Sequence, residues 1–516
     1  MDNNEPKRVA QRAADVAKKA EVKVEKVAAK AERKVDKATD VLEKKKAPTY
    51  QKALQNRHIQ MIAIGGAIGT GLFLGAGGRL QKAGPSLAII YLLCGILGFF
   101  ILRALGEMIM YRPASGSFVS YAREFIGEHG AFAVGWMYFV NWACTGIVDA
   151  TAVATYLRYW NVGTESTQWV AALIALLLVT AINFMGVKYF GEFEFWFAII
   201  KVAALVIFLL VAVWVLGTGH VMDGNRPGPH LISEHGGWFP HGVMPAIVLS
   251  QGVIFAYAAI ELVGITAGEA ENARAVIPKA INSVIWRILI FYVGAVVLLT
   301  MVLPWSAYSA DTSPFVTFFD KLGIPGTAGI MNFVILTAAM SSLNSGIYAN
   351  GRTLRDLGLS RSAPAMTAKM SPRGVPTGAI LFTLCFSLVG IFINYVAPGE
   401  AFEIVLNFAS VAIIFIWASI LVTHLIFRKR VDAGLLPRQS FSMPGAPVTD
   451  YICLAFLAGV FVLMAFDHPV GTWTVALTPV LFGVLALYWF RIKDRIVEHD
   501  EGYEDVATHE TQGTLQ

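Results

Sequence analysis

The chain has 516 residues, of which 56% are hydrophobic and 15% are charged, and its mean hydropathy is +0.58. An ordinary soluble protein carries about 25% charged residues, so this composition excludes soluble enzymes, nucleic-acid-binding proteins and secreted disulfide-rich domains. Several apolar runs reach about 18 residues or more, enough to cross a hydrocarbon core about 30 Å thick. The sequence therefore predicts an all-α, multi-pass membrane protein that contacts a lipid bilayer and binds no nucleic acid.

The amino-terminal arm, residues 1–50, carries the whole formal charge excess of +5. It contains 14 Lys or Arg and 9 Asp or Glu residues, which leaves 27 basic and 27 acidic residues in the rest of the chain. A stretch of this composition either forms a charged helix on anionic lipid or stays disordered. It also lacks the apolar segment of a signal peptide. We therefore expect a charged cytoplasmic arm.

Hydropathy predicts twelve membrane spans, numbered here from span 1 to span 12. They cover residues 59–82, 85–110, 131–157, 168–187, 191–216, 243–268, 283–304, 328–350, 376–396, 402–425, 450–466 and 471–491. An even number places both termini on one side, where the loops carry fourteen Lys or Arg residues besides the arm, against four on the other side. Because cytoplasmic loops are enriched in Lys and Arg, both termini are expected in the cytoplasm.

Spans 1 and 6 are interrupted by glycines at corresponding positions. The interrupting residues are Gly65, Gly66, Gly69 and Gly71 in span 1, and Gly252, Gly264 and Gly268 in span 6. Each glycine weakens a helix by about 1 kcal/mol, and two broken spans that lie five apart are typical of transporters built from inverted five-span repeats. Freed N–H groups favour a carboxylate, and freed carbonyl groups favour an ammonium group. The alternative is that the glycines only allow close helix packing.

Several segments resemble the amino-acid transporter family of the amino acid–polyamine–organocation superfamily. They are GGAIGTGLFLG (65–75), RPASGSFVSYA (112–122), NWACTGIVDATAVA (141–154), FWFAIIKV (195–202), FAYAAIELVGITAGE (255–269) and MSSLNSGIYANGR (340–352). The resemblance implies a leucine-transporter-like core of five plus five spans in inverted repeat, with spans 1 and 6 broken and two extra helices. It implies repeat 1 at 51–216, repeat 2 at 217–425, spans 11 and 12 at 426–491, and a cytoplasmic tail at 492–516.

The same resemblance implies proton-coupled import of an α-amino acid by alternating access in a bacterial inner membrane. Two segments, LPWSAYSADTSPFVTFF (303–319) and FEIVLNFAS (402–410), are most similar to members that carry L-asparagine. An amino-acid exchanger stays open as an alternative, as does a permease for glutamine, glycine, serine or γ-aminobutyrate. The sequence contains no paired nucleophile and base, no nucleotide loop and no metal-ligand spacing, so no enzyme and no cofactor are expected. It indicates no particular oligomeric state.

The resemblance also assigns the substrate site. Three residues form the turn that holds the substrate carboxylate through backbone N–H groups and one hydroxyl: Gly69, Thr70 and Gly71. Five carbonyl groups hold the substrate amino group: those of Ala67, Ile68, Phe255, Ala256 and Ala258. Phe255 and Tyr257 are candidates for an aromatic gate, although simple packing is the alternative for Phe255. Relatives often carry glycine at the position of Ala259, so a stiffer break is expected here.

Polar stripes on two core spans are candidates for side-chain recognition. Span 3 carries Asn141, Thr145 and Asp149 at every fourth residue, and span 8 carries a similar stripe of Thr337, Ser341, Asn344 and Ser345. Residues four apart share one helix face. A carboxamide substrate needs donors and acceptors, which Asn141, Thr145 and Asn344 can supply. Hydrogen bonding between helices is the alternative role.

Lys201 lies in the middle of span 5, about 15 Å along the helix from its start. A buried ammonium group tends to lose its proton. In the family, the matching lysine resembles a built-in cation between spans 1, 5 and 8. The hypothesis is that protonated Lys201 steadies the span 1 break and that its deprotonation on the inner side releases substrate. A permanently paired structural lysine is the alternative.

Three acids are expected to support the gates: Glu107, Glu261 and Glu269. Glu261 lies beside the span 6 break and is expected to accept backbone hydrogen bonds. The other two lie near cytoplasmic helix ends, where they are expected to pair with Arg274, Arg103 or Arg112. Four irregularly spaced histidines of the 217–242 loop are expected to be solvated rather than to bind a metal: His220, His230, His235 and His241.

Overall fold

The computed structural model describes residues 54–55, 57–58, 61–62, 68–114, 116–267, 273–310, 312–396 and 401–497. Within these ranges the regular structure is helical and no β-strand is present, which confirms the predicted all-α class for the described part of the chain. The arm 1–50, Ala67, Glu269 and the tail after residue 497 lie outside the described residues.

The helices are numbered in chain order. They are α1 Thr70–Phe73, α2 Gly75–Ala83, α3 Leu87–Tyr111, α4 Ser117–Phe125, α5 Glu128–Arg158, α6 Gln168–Met185, α7 Val187–Thr218, α8 His230–Glu234, α9 Val243–Val248, α10 Ser250–Ala256, α11 Leu262–Ala267, α12 Ala273–Arg287, α13 Ala295–Val302, α14 Pro314–Lys321, α15 Thr327–Leu359, α16 Thr377–Val396, α17 Ala401–Asp432, α18 Val448–Met464 and α19 Val470–Ile492. A wider helical turn, Ile288–Gly294, joins α12 to α13.

Eight helical runs in the described residues are long and apolar enough to cross a membrane. They are Gly75–Tyr111, Glu128–Arg158, Gln168–Met185, Val187–Thr218, Arg274–Val302, Thr327–Leu359, Val405–Asp432 and Val470–Arg495. Three shorter apolar runs accompany them: Val243–Ala256, Thr377–Phe392 and Val448–Met464. These eleven runs overlap predicted spans 2 to 12, and the chain is a multi-pass membrane protein.

Several helices extend past the apolar runs that predicted them. Span 7 was expected to begin near residue 283, but α12 begins at Ala273, and α15 continues to Leu359 rather than ending near residue 350. The added turns carry charged residues, such as Lys279 and Arg355. A hydropathy window detects only the apolar part of a helix, so it underestimates the length of helices whose ends carry charged residues.

The core of the bundle is built around α5 and α15, which pack against each other. Of the membrane-length segment of α5, 78% is buried inside the protein, compared with 17% for α19. Gly346 allows α15 to approach α5 closely, because an added Cβ would lie 2.6 Å from a ring carbon of Trp142. Small residues at helix contacts are typical of membrane bundles. The polar stripe of α5 therefore lies in the protein interior, away from lipid.

Candidate functional site

In span 1, Ile68 and Gly69 are not helical, and residues 63–67 lie outside the described residues. Gly69 is extended, with φ −120° and ψ −162°, and α1 begins at the next residue. The Gly69 carbonyl accepts hydrogen bonds from the N–H groups of Leu72 and Phe73, each at 3.3 Å. The first N–H groups of a helix have no intrahelical partner, so those of Thr70 and Gly71 are available to a ligand.

Span 6 is interrupted between α10 and α11. The helix ends at Ala256 and resumes at Leu262, and Ala259 between them has a positive φ of 75°. The Phe255 carbonyl accepts a hydrogen bond from the Ala258 N–H at 3.0 Å, and the Ala256 carbonyl accepts one from the Tyr292 hydroxyl at 3.4 Å. A carbonyl oxygen has two lone pairs, so each retains the capacity to accept a further hydrogen bond.

The two interruptions lie against each other. A Cβ added to Gly71 would lie 2.5 Å from the Ala256 Cα, a distance that only glycine tolerates. The start of α1 and the end of α10 are therefore in direct backbone contact. The structure thus brings together the predicted carboxylate turn and two of the predicted amino-group ligands, Phe255 and Ala256.

Arg79 of α2 joins the two broken spans and was not singled out from the sequence. Its Nη1 donates to the Gly71 carbonyl at 2.9 Å in a buried hydrogen bond. The guanidinium lies between Gly75 and Gly252, at each of which an added Cβ would lie 2.7 Å from its nearest atom. Arg79 therefore ties the second half of span 1 to α10. The available signal was an arginine placed eight residues after Gly71 in a predicted membrane span.

The stripe on α5 carries polar atoms without partners. Asn141, Thr145 and Asp149 are all buried, and Nδ2 and Oδ1 of Asn141, Oγ1 of Thr145 and Oδ2 of Asp149 have no hydrogen-bond partner among the described residues. The other Asp149 oxygen, Oδ1, accepts a hydrogen bond from the Thr70 hydroxyl at 2.9 Å. Buried polar groups are normally paired, so this stripe has the capacity to bind a polar ligand.

Asn344 lies on α15 between the core and α6. Its Oδ1 accepts a hydrogen bond from Asn183 Nδ2 at 2.9 Å, while its own Nδ2 has no partner among the described residues. The alternative role, a hydrogen bond between helices, is therefore present: the Asn344 side-chain carbonyl oxygen accepts from Asn183 of α6. Only the donor side remains available, and its contact with substrate stays a prediction.

Lys201 is paired inside the membrane region. Its Nζ donates to the Ser341 hydroxyl at 2.9 Å, that hydroxyl donates to Glu194 Oε1 at 2.5 Å, and Nζ lies 3.8 Å from the same carboxylate oxygen. Lys201 and Glu194 are 1% and 0% exposed. The predicted contact between spans 5 and 8 is present. Glu194 was missed, although seven residues, or two helical turns, place it on the same face as Lys201.

The two aromatic gate candidates have different surroundings. Phe255 is buried against Ile147 and Val148 of α5 and Leu406 of α17, so it packs inside the protein. The Tyr257 ring stacks on Tyr292 with a centroid distance of 4.6 Å, and its hydroxyl donates to the Tyr91 carbonyl at 2.8 Å. Tyr257 thus anchors the span 6 break to α3, and a gating role for either ring stays a prediction.

Glu107 has partners other than those expected. Arg428 Nη1 donates to its Oε1 at 2.8 Å, the Met443 N–H donates to its Oε2 at 2.7 Å, and His424 Nε2 lies 3.1 Å from Oε2. The expected pairing with Arg103 or Arg112 is wrong, because these side chains bind elsewhere. Arg103 donates to Asn282 at 2.8 Å, and Arg112 pairs with Glu124 at 2.7 Å.

Glu261 is buried beside the span 6 break. Trp417 Nε1 donates to its Oε2 at 3.4 Å, and its carboxylate interacts with the backbone N–H groups of Ala259 and of Glu261 itself. Its Oε1 has no partner among the described residues. These contacts are those of a carboxylate that holds an interrupted backbone, and this supporting role stays a prediction. The pairing expected for Glu269 lies outside the described residues.

Ala259→Gly is expected to stabilise the protein. A side chain at positive φ costs about 1–2 kcal/mol, whereas glycine adopts this conformation freely but loses about 0.4–1 kcal/mol through the entropy of its unfolded chain. The midpoint temperature of unfolding, measured by fluorescence in detergent, should therefore rise. Ala258→Gly is the control and should lower the midpoint, since Ala258 has no positive φ. Equal falls in both variants would show that Ala259 is unstrained.

Comparison with known proteins places the chain in a family. Residues 58–499 match the family model described as amino acid permease. The chain is 58% identical over 449 residues to the L-asparagine permease of Escherichia coli (strain K12), which covers 87% of this chain and 90% of the relative.

Two further relatives carry the same name. The L-asparagine permease of Streptomyces coelicolor is 54% identical over 461 residues, covering 89% of this chain and 94% of the relative. L-asparagine permease 1 of Mycobacterium tuberculosis (strain ATCC 25618 / H37Rv) is 52% identical over 448 residues, covering 87% of this chain and 92% of the relative. The chain belongs to the amino acid permease family.

Proposed function

We propose that this chain imports L-asparagine together with a proton by alternating access. The observation that carries the proposal is the contact of the two interrupted helices at Gly71 and Ala256, beside a buried stripe with unpartnered polar atoms. The names of the relatives support the choice of substrate.

The proposed architecture has twelve spans, with both termini in the cytoplasm. Eight long and three shorter apolar runs in the described residues support this count when the interrupted span 1 is added. Two helices interrupted five spans apart, which meet at their interruptions, support the inverted repeats 51–216 and 217–425. Spans 11 and 12 would then lie outside the repeated core, which fits the largely lipid-exposed surface of α19.

The substrate is proposed to lie across the two breaks. Its carboxylate would accept hydrogen bonds from the N–H groups of Thr70 and Gly71 at the positive end of α1. Its ammonium group would donate to carbonyl groups of Ile68 and of the α10 end, including Ala256. Its carboxamide would take the unpartnered atoms of Asn141 and Thr145, which offer both donors and acceptors. Each charged or polar group of asparagine thereby meets a complementary group.

Lys201 is the proposed coupling residue. It is linked through Ser341 to Glu194, so a charged junction lies between α7 and α15. A proton that moves with a zwitterion transfers one net charge, worth about 2.3 kcal/mol per 100 mV. Because about 1.4 kcal/mol corresponds to a factor of ten, a potential of about 100 mV supports roughly fifty-fold accumulation. Proton symport therefore provides enough energy for uptake.

Purified protein in proteoliposomes tests the proposal directly. Labelled L-asparagine should accumulate when the outside is acidic and the inside negative, and unlabelled L-asparagine should compete better than glutamine, glycine, serine or γ-aminobutyrate. Counterflow without a gradient provides the comparison. An exchanger would show counterflow at full rate but no accumulation under the gradient, and that result would contradict symport.

Gly71→Ala is expected to lower the uptake rate about tenfold or more, because forcing a methyl group into a packed backbone contact costs about 1–3 kcal/mol. Initial rates of asparagine uptake in proteoliposomes measure the effect. Gly483→Ala in α19 is the matched control, since a Cβ there meets nothing within 4 Å. Unchanged uptake by the Gly71 variant would mean that the two breaks do not stay in contact during transport.

Lys201→Gln is expected to abolish accumulation driven by the pH gradient while counterflow persists. Lys321→Gln is the control, because Lys321 is a half-buried lysine that pairs with the exposed Asp223 at 3.1 Å. The double variant Glu194→Gln/Lys201→Gln tests the structural alternative, since it removes both buried charges together. If either variant that lacks Lys201 accumulated asparagine under the gradient at the wild-type level, Lys201 would not be needed for proton coupling.

A further inference from the structure

We propose that Asp149 is the site that takes up the coupled proton, and that its protonation releases the Thr70 hydroxyl to bind the substrate carboxylate. The inference rests on the proposed proton symport and identifies where the proton resides. It goes beyond Lys201 by adding a group that contacts the predicted carboxylate turn directly. Asp149 thereby connects the charged junction, through its electrostatic interaction with Lys201, to the proposed substrate site, through Thr70.

The first argument is charge balance. The charged junction and Asp149 together contain one cation, Lys201, and two carboxylates, Glu194 and Asp149. The lysine is 1% exposed and both acids are 0% exposed. Lys201 interacts electrostatically with both acids, and its Nζ lies 3.8 Å from Glu194 Oε1. An uncompensated charge at this depth is costly. Among the described residues, these three groups therefore carry a net charge of −1 when both acids are ionised, and a proton on Asp149 neutralises it.

The second argument is the unequal bonding of the two carboxylate oxygens. Asp149 Oδ1 accepts the Thr70 hydroxyl at 2.9 Å, and the Ser342 hydroxyl lies beside the same carboxylate. Oδ2 is buried and has no partner among the described residues. An ionised carboxylate in a protein interior normally accepts several hydrogen bonds. An oxygen left bare is the expected place for a proton to enter and leave.

The hydroxyl of Thr70 couples the proton to the substrate. A threonine hydroxyl has one hydrogen and two lone pairs. While Asp149 is ionised, that hydrogen is donated to Oδ1 and cannot serve the substrate. When Oδ2 of Asp149 is protonated, rotation of the carboxyl group about its Cβ–Cγ bond brings this O–H to the Thr70 oxygen as a donor. The Thr70 hydrogen then becomes free to donate to the substrate carboxylate. Proton and substrate binding therefore favour each other.

The surroundings of Asp149 contain few other titratable groups. Among the described residues, those that interact with it electrostatically are Lys201 of α7 and Tyr156 of its own helix. Span 1 and α15 contribute the hydroxyl groups of Thr70 and Ser342. The proton balance is simple: a proton from outside water converts the Asp149 carboxylate to the acid during loading, and the same proton leaves to inside water when substrate is released.

Asp149→Asn tests the inference, because an asparagine side chain can donate to the Thr70 oxygen permanently, as the protonated acid would. In proteoliposomes the variant should retain asparagine counterflow. Under a pH gradient and a membrane potential, the ratio of internal to external asparagine should fall from some tens to about one. In the wild type the KM for asparagine should rise as the pH is raised. In the variant the KM should be independent of pH.

Two further variants keep the test specific. Asp223→Asn removes an exposed carboxylate and should behave as the wild type. Thr70→Val removes the hydroxyl and should raise the KM about ten- to hundredfold, the range for a lost hydrogen bond to a charged group, while accumulation at saturating asparagine remains coupled to the gradient. Detergent-purified variants should elute as monodisperse peaks at the wild-type position.

The outcomes separate this inference from the proposed function. Gradient-driven accumulation by Asp149→Asn would overturn the inference and leave symport intact. Loss of counterflow in a well-folded Asp149→Asn variant would also overturn it, because the residue would then be needed for substrate binding itself. A wild type that shows no response to a pH gradient would refute symport and the inference together.

Discussion

A peptide group that loses its helical partner inside a bilayer must find another polar group or line a cavity, and this constraint governs the centre of the structure. The chain meets it by placing its two interruptions against each other, with Gly71 on the backbone of Ala256. Arg79 then donates to the Gly71 carbonyl, and Tyr292 donates to the Ala256 carbonyl. The interrupted backbone is held by side chains from outside the breaks, while the N–H groups of Thr70 and Gly71 have no hydrogen-bond acceptor among the described residues.

The two interruptions are stabilised by different means. Span 1 relies on glycines, which have no Cβ and so permit close approach to α10. Span 6 places Ala259 at positive φ, a conformation that persists only where the surroundings enforce it. The neighbouring Tyr257 provides that enforcement through its ring contact with Tyr292 and its hydroxyl bond to Tyr91. The break in span 6 is therefore held by contacts with α3 and with the helical turn that contains Tyr292.

The positions of the helices could be predicted from hydropathy because burial in lipid requires long apolar runs. The helix ends could not be predicted in this way, since the turns of α12 and α15 beyond the apolar runs carry charged residues. The interruptions were predictable from the glycines, and the pairing of Lys201 was detectable from the two-turn spacing of Glu194. The partners of Glu107 were not, because His424 and Arg428 come from a helix far along the chain. Such pairings depend on packing that no local pattern encodes.

Two buried acids of the same protein have contrasting surroundings. Glu107 receives an arginine, a backbone N–H and a histidine, so its charge is compensated within one fixed arrangement and it joins helices. Asp149 interacts with the hydroxyl groups of Thr70 and Ser342, and its Oδ2 has no hydrogen-bond partner among the described residues. An unsatisfied buried polar group costs about 1–3 kcal/mol, and the same stripe carries Asn141 and Thr145 in the same condition. Under the proposed function, a polar ligand and a proton bound along this helix face would remove that cost, which would favour the loaded state over the empty one.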